Sequence, residues 1–310
     1  MASLLDALVG DPRWLPHPVR SMGRVVQGFE RAIRPWCKGP GALRMAGVLL
    51  AVSLPSLTFV LAWALITVGT AVHEWLGRGL EVWLAFTTLA WRDLVDHVVG
   101  VSNPLKIRSW HEARAALSRI VGRDTNHLSE PEIVRATVET VAESASDGII
   151  APLFYLMLGG APLALAYKAV STLDSLVGHR DERYREFGWA SARLDDLANW
   201  IPARITAVLI VLATALVFRR PAPFMRSVRT LWQDGRKHPS PNSGRPEASM
   251  AGALGIRLGG TNYYHGIPQE RPFLGDPVEP LAIVHIDQAK QVMTTAYLLG
   301  LAVAWGLLWR

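Results

Sequence analysis

The sequence predicts an α-helical integral membrane protein, with several transmembrane or re-entrant helices and large ordered cytoplasmic helical loops. Half of the 310 residues are hydrophobic and only 19% are charged. The apolar residues are bunched into runs, whereas a soluble core would spread them with helical or strand periodicity. The basic residues collect beside these runs, as they do in positive-inside loops. A large soluble protein with buried core helices is the alternative, and uncharged runs of bilayer length argue against it.

Residues 1–44 carry Arg13, Arg20, Arg24, Arg31, Arg34, Lys38 and Arg44, which assigns them to the cytoplasmic side. Residues 45–72 hold no charge and exceed the roughly 20 residues that cross a bilayer core. Residues 79–91 are shorter and interrupted by Glu81. They form either a second crossing or a helix in the interface. Residues 92–147 are polar and basic, with helical periodicity in "SWHEARAALSRIV". Residues 149–170 are apolar but broken by "GGAP", and Gly-Gly with Pro opposes a continuous helix. Two half-helices in a re-entrant hairpin and a kinked crossing both fit. Residues 201–218 and 292–309 are further apolar segments. The loop with Arg180, Arg183, Arg185 and Arg193 is basic, as is the loop from Arg219 to Lys290, so charge alone fixes no unique topology. No low-complexity tract or fixed repeat divides the chain. The expectation is a single membrane-embedded catalytic domain over residues 1–310.

Composition also excludes classes. A net charge of +6 fits positive-inside loops or anionic substrates. No nucleic-acid module is present, so no nucleic-acid partner is expected. The single cysteine, Cys37, rules out a disulfide framework and a cysteine metal cluster. There is no G-x-x-x-x-G-K-[ST], no H-E-x-x-H and no G-x-S-x-G, which argues against a P-loop, a zinc protease and a serine hydrolase.

Several polar constellations stand out. On a helix, Arg135, Glu139 and Glu143 share one face, and Asp147 follows a turn later. An Arg–Glu pair on a solvated face is worth only a few tenths of a kcal/mol. Here the face runs directly into the apolar segment, where carboxylates are costly unless they pair or bind something. Mg²⁺ usually takes one or two carboxylates plus substrate phosphates. Glu139, Glu143 and Asp147 are therefore candidate catalytic groups and metal ligands. A second acidic edge, with Arg193, Asp195, Asp196 and Asn199, precedes the segment at 201. Lys168 and Asp174 lie near one helix face. Arg123 and Asp124 precede a helix start at Ser129, marked by "SEPE". The richest loop runs from Gln233 to Tyr264. It holds Asp234, Arg236, Lys237, His238 and Asn242, then Asn262 and Tyr263 within "LGGTNYY". Basic residues beside glycine suit phosphates, and His238 is a candidate acid or base.

The stretches "LLDALVGDPRWLPHPVRSMGRVV", "RATVETVAESASDGIIAPLFYLMLGG" and "DGRKHPSPNSGRPEASMAGALGIRLGGTNYY" closely resemble the adenosylcobinamide-phosphate synthase family of cobalamin biosynthesis (CobD/CbiB). The resemblance covers nearly the whole chain. It implies a multi-pass protein of the cell (inner) membrane with a cytoplasmic active site. It implies amide formation between the propionate carboxylate of adenosylcobyric acid and (R)-1-amino-2-propanol or its O-phosphate. ATP and Mg²⁺ are the implied cofactors and a corrinoid the substrate. The lipid bilayer and other cobalamin-assembly enzymes are the expected partners.

On that reading, Glu139, Glu143 and Asp147 share the metal and proton chemistry. Asp195, Asp196 and Asn199 form the second acidic edge. Arg123, Arg193, Lys168, Arg236 and Lys237 hold phosphates, with Asp124, Asp174 and Asp234 beside them. Asn242, Asn262 and Tyr263 contact corrin amides. The alternative is a non-catalytic, AmpE-like membrane sensor or transporter subunit that binds a phosphorylated ligand through the same loops. ATP consumption in proportion to amide formed separates the two.

Overall fold

The computed structural model describes residues 1–11, 17–179 and 181–308. Arg13, Arg180 and Trp309, named above, lie outside the described residues. In chain order the helices are α1 (Ala2–Val9), α2 (Pro18–Ile33), α3 (Pro40–Val72), α4 (Glu74–Phe86), α5 (Trp91–Lys106), α6 (Trp110–Leu117) and α7 (Glu130–Ser144). A π-helical segment, Ala145–Ile150, leads into α8 (Ala151–Val177), followed by α9 (Trp189–Ala198), α10 (Trp200–Phe218), α11 (Pro221–Asp234) and α12 (Gly244–Leu254). Strands β1 (Leu258–Tyr264) and β2 (Ile267–Leu274) precede the last helix, α13 (Val284–Leu308). The chain divides into two compact units: residues 1–90 with 151–199, and residues 91–150 with 200–310.

Among the described residues, three helical runs are long and apolar enough to cross a membrane: Pro40–Val72, Glu130–Val177 and Trp200–Phe218. This is the helical membrane architecture that the apolar runs predict. In α3 the side chains of Val52, Leu57, Leu61, Trp63 and Val68 are exposed, as expected where lipid is the solvent. The segment near 79–91 does not form one crossing helix, because α4 ends at Phe86 and a turn follows.

In the first unit, α8 resolves the ambiguity at "GGAP". Gly159 (φ −154, ψ 25) and Gly160 (φ 64, ψ −163) leave helical geometry. The rings of Tyr155 and Tyr167, on opposite sides of that break, stack with centroids 4.8 Å apart. Along a straight helix their positions would differ by about 18 Å. The two halves therefore fold back as a helical hairpin. Leu165, Ala169 and Leu173 of the return arm join a core with Leu50, Leu54 and Phe187.

In the second unit, α7 is buried on nearly every side, from Ile133 to Ala142. Its start is the one "SEPE" predicts: the Glu132 carboxylate accepts from the Ser129 backbone N–H at 2.7 Å and from its hydroxyl at 2.6 Å. Helix α12 is made of small residues because α11 lies against it. A Cβ at Gly252 would sit 2.5 Å from the Arg226 carbonyl oxygen.

The β-hairpin was not expected from "LGGTNYY", read as a loop. Tyr264 pairs with Ile267 across the two-residue turn His265–Gly266. Both turn residues have positive φ, 52° and 77°, the geometry of a type I′ turn.

Candidate functional site

The hairpin, α7 and the start of α12 enclose a polar pocket in the second unit. Arg123, Glu139, Glu143, His238, Glu247, Asn262, Tyr264 and Arg271 line it.

Glu139 organises one wall. Its Oε1 accepts the Gly259 backbone N–H at 2.9 Å and lies 3.4 Å from Arg135 Nη1. Its Oε2 accepts from Arg123 Nη2. Asn262 Oδ1 joins the two arginines, accepting from Arg123 at 2.6 Å and from Arg135 at 3.0 Å. Arg135 also donates to the carbonyls of Gly259 and Thr261. Arg135, Glu139 and Asn262 are all buried, so each charge is held by a partner, as burial demands.

Gly259 makes this wall possible. It lies at a register shift of the hairpin, with φ +85°, and a Cβ there would fall 2.1 Å from the Pro272 carbonyl oxygen. Only glycine lets the peptide turn both its N–H and its C=O toward α7. Gly259→Ala is expected to destabilise the protein by about 3 kcal/mol, combining backbone strain with overpacking. The thermal midpoint of the purified variant in detergent checks this.

The other wall holds Glu143, His238, Glu247 and Arg271. The Ser243 hydroxyl donates to Glu143 Oε1 at 2.9 Å. Glu247 is fully enclosed. Burial first, then the nearby carboxylates of Glu139 and Glu143, push its carboxyl well above the ordinary value. His238 Nδ1 accepts the Ser240 backbone N–H at 3.0 Å, and Nε2 lies 2.6 Å from Arg271 Nη1. Burial, reinforced by the Arg271 charge, lowers the His238 pKa from 6.5 to about 4.

That shift has a definite sign. A folded-state pKa below the unfolded value means that unfolding takes up a proton between the two. Stability from this group is then present above pH 6.5 and is lost as pH falls toward 4. Wild-type protein is expected to lose up to about 3 kcal/mol more than His238→Gln over that window. Paired melting curves across the pH range test it.

The pocket brings together Arg123, Glu139, Glu143, His238 and Asn262 from the sequence-based set. Asp124 instead braces the hairpin turn, accepting the backbone N–H groups of His265 and Gly266 at 3.3 and 2.7 Å. Tyr263 lies beside it, half-exposed, its carbonyl accepting the Asp124 N–H. Asp234 accepts from Gly275 N–H at 2.8 Å and pairs with Lys237 at 2.6 Å. Arg236 and Lys237 are exposed, and Asn242 is buried just before α12. Lys168, Asp174, Arg193, Asp195, Asp196 and Asn199 belong to the first unit. There Asn199 is a buried strut: its Oδ1 accepts the Tyr167 hydroxyl at 2.8 Å, and its amide donates to Asp195 at 3.0 Å.

Of the expected Mg²⁺ set, Glu139 and Glu143 line the pocket and Asp147 does not. Among the described residues, no group of three or more His, Cys, Asp or Glu is placed to hold a metal ion. Asp147 lies in the π-helical segment. Glu139 is already committed to two arginines.

Sequence reasoning missed Glu247 and Arg271 as site residues. Glu247 had a signal, a lone carboxylate in a helix otherwise built for close packing. Arg271 had none, because only the strand pairing brings it to the pocket.

The family model described as CobD/Cbib protein matches residues 1–293. A cobalamin biosynthesis protein CobD of Klebsiella pneumoniae subsp. pneumoniae is 47% identical over 307 residues, 99% of this chain and 95% of that protein. A cobalamin biosynthesis protein CbiB of Salmonella typhi is 45% identical over 303 residues, 98% of this chain and 94% of that protein. A CobD of Photorhabdus laumondii subsp. laumondii is 46% identical over 300 residues, 97% and 93% of the two chains. No solved structure matches this chain.

Proposed function

This chain belongs to the CobD/CbiB family, and on that premise we propose that it is an amide-forming ligase of cobalamin biosynthesis. It joins the propionate carboxylate of adenosylcobyric acid to aminopropanol or its O-phosphate, at the expense of ATP. The observation that carries this reading is the pocket of the second unit, where Glu139, Glu143 and Glu247 meet Arg123, Arg271 and His238. An acid–amine ligation needs both kinds of group at one place.

The chemistry proceeds in two transfers. A carboxylate oxygen of the corrinoid bonds to the γ-phosphorus of ATP, and ADP leaves. The amine nitrogen then bonds to the acyl carbon, phosphate leaves, and the nitrogen gives up one proton. Mg²⁺ arrives with the nucleotide as part of that substrate. The guanidinium groups of Arg123 and Arg271 suit phosphoryl oxygens, which they can meet two bonds at a time. Glu143, held by the Ser243 hydroxyl, takes the amine proton as general base. Glu139 keeps Arg123 in place.

The test uses purified protein in detergent with adenosylcobyric acid, the amine and Mg·ATP. Amide and ADP should appear in equal amounts. Corrinoid binding with neither product would overturn the reading in favour of a binding module.

A further inference from the structure

His238 is held in a contradiction. A neutral imidazole carries one N–H and one lone pair. Yet both of its nitrogens face donors: the Ser240 backbone N–H at Nδ1, 3.0 Å away, and Arg271 Nη1 at Nε2, 2.6 Å away. One lone pair cannot serve both. The Ser240 donor is fixed by the chain. Arg271 is a long side chain on β2 whose second nitrogen rests on the Tyr264 hydroxyl at a loose 3.3 Å. If either contact yields, it is the one to Arg271. Glu247 waits behind, its Oε1 4.0 Å from His238 Nε2.

We propose that Arg271 is an anion-responsive latch on His238. An oxyanion entering the pocket draws the guanidinium away from Nε2, and that nitrogen, which carries the ring proton while Nδ1 accepts from Ser240, becomes free to donate its N–H as a hydrogen bond to Glu247 or to a bound substrate. Arg271 thus acts on both the imidazole and the incoming anion. It keeps the imidazole occupied until an anionic group is present, and it spends the same charge on that group afterwards. The proposal rests on the functional reading above for its place in a reaction, but the latch itself does not require turnover.

The charged groups facing His238 set the expected direction. Arg271 lies on β2, Glu247 on α12, and Glu139, with Glu143 a turn beyond it, on α7; Arg123 completes the pocket. Of these, Arg271 is the one that opposes a proton on the ring most strongly. Releasing it leaves the imidazole facing carboxyl groups and easier to protonate.

The experiment follows the imidazole by NMR in ¹⁵N-histidine-labelled full-length protein, with the His238 signal identified by its loss in His238→Gln. Inorganic phosphate is the probe, titrated to saturation into the wild type. The expected result is that the His238 midpoint moves up toward the ordinary histidine range with phosphate. Arg271→Gln should show the raised midpoint without phosphate and no further response to it. A wild-type midpoint unmoved by phosphate would overturn the latch, even if Arg271→Gln alone shifts it. Because no product is measured, a protein that shows the shift but forms no amide would sink the ligase reading and leave the latch standing.

Discussion

Glu139→Ala is expected to cost about 3–5 kcal/mol of stability, the largest single-residue effect in the second unit. The carboxylate is the shared acceptor for Arg123, Arg135 and the Gly259 N–H. Truncating it leaves a buried guanidinium on α7 with only neutral oxygens as partners, and strips the charge partner from Arg123. Glu139→Gln retains an acceptor oxygen and the side-chain shape, so its loss should be smaller though still measurable. Thermal or denaturant unfolding of the purified variants would decide. A loss below about 1 kcal/mol for the alanine variant, the range of an exposed pair, would show that the cluster is not the organiser described here.

Glu143→Gln is expected to behave in the opposite way. Glu143 contacts the Ser243 hydroxyl, and a glutamine can keep that acceptor. Melting should stay near wild type while kcat for amide formation falls by roughly 10²–10⁴, the range for removing a general base. The split between the two variants is the informative part. Sequence spacing places both glutamates on one helix face with equal claims. The structure separates them, one tied to arginines and the other to a hydroxyl. Turnover in Glu143→Gln within a few-fold of wild type would move the proton-accepting role elsewhere, with His238 next.

Much of the fold was legible because bilayer-length hydrocarbon needs no long-range information. The uncharged runs of α3 and α10 declare themselves, and so does the Ser129 start of α7, whose signal is local. The break at Gly159–Gly160 was legible too, but its consequence was not. Kink and reversal share the same glycines, and they differ only in whether Tyr155 meets Tyr167. The β-hairpin was hidden for a chemical reason. Its strands carry glycines and prolines in place of a β-branched alternation, and its turn is His-Gly, a weaker signal than Asn-Gly. Arg123, Glu139, Glu143, His238 and Asn262 were recognisable as polar residues in polar stretches. What brings them together with Arg271 is the register of β1 on β2, with Gly260 opposite Arg271, and no local pattern encodes a register.

The hairpin in α8 has a last consequence, for topology. A helix pair that reverses within the bilayer enters and leaves through one face. It therefore contributes zero to the parity of the chain's crossings. Basic residues before Ala151 and after Val177 looked contradictory when this segment was counted as a crossing. A hairpin that enters and leaves through one face would put both basic flanks on the same side.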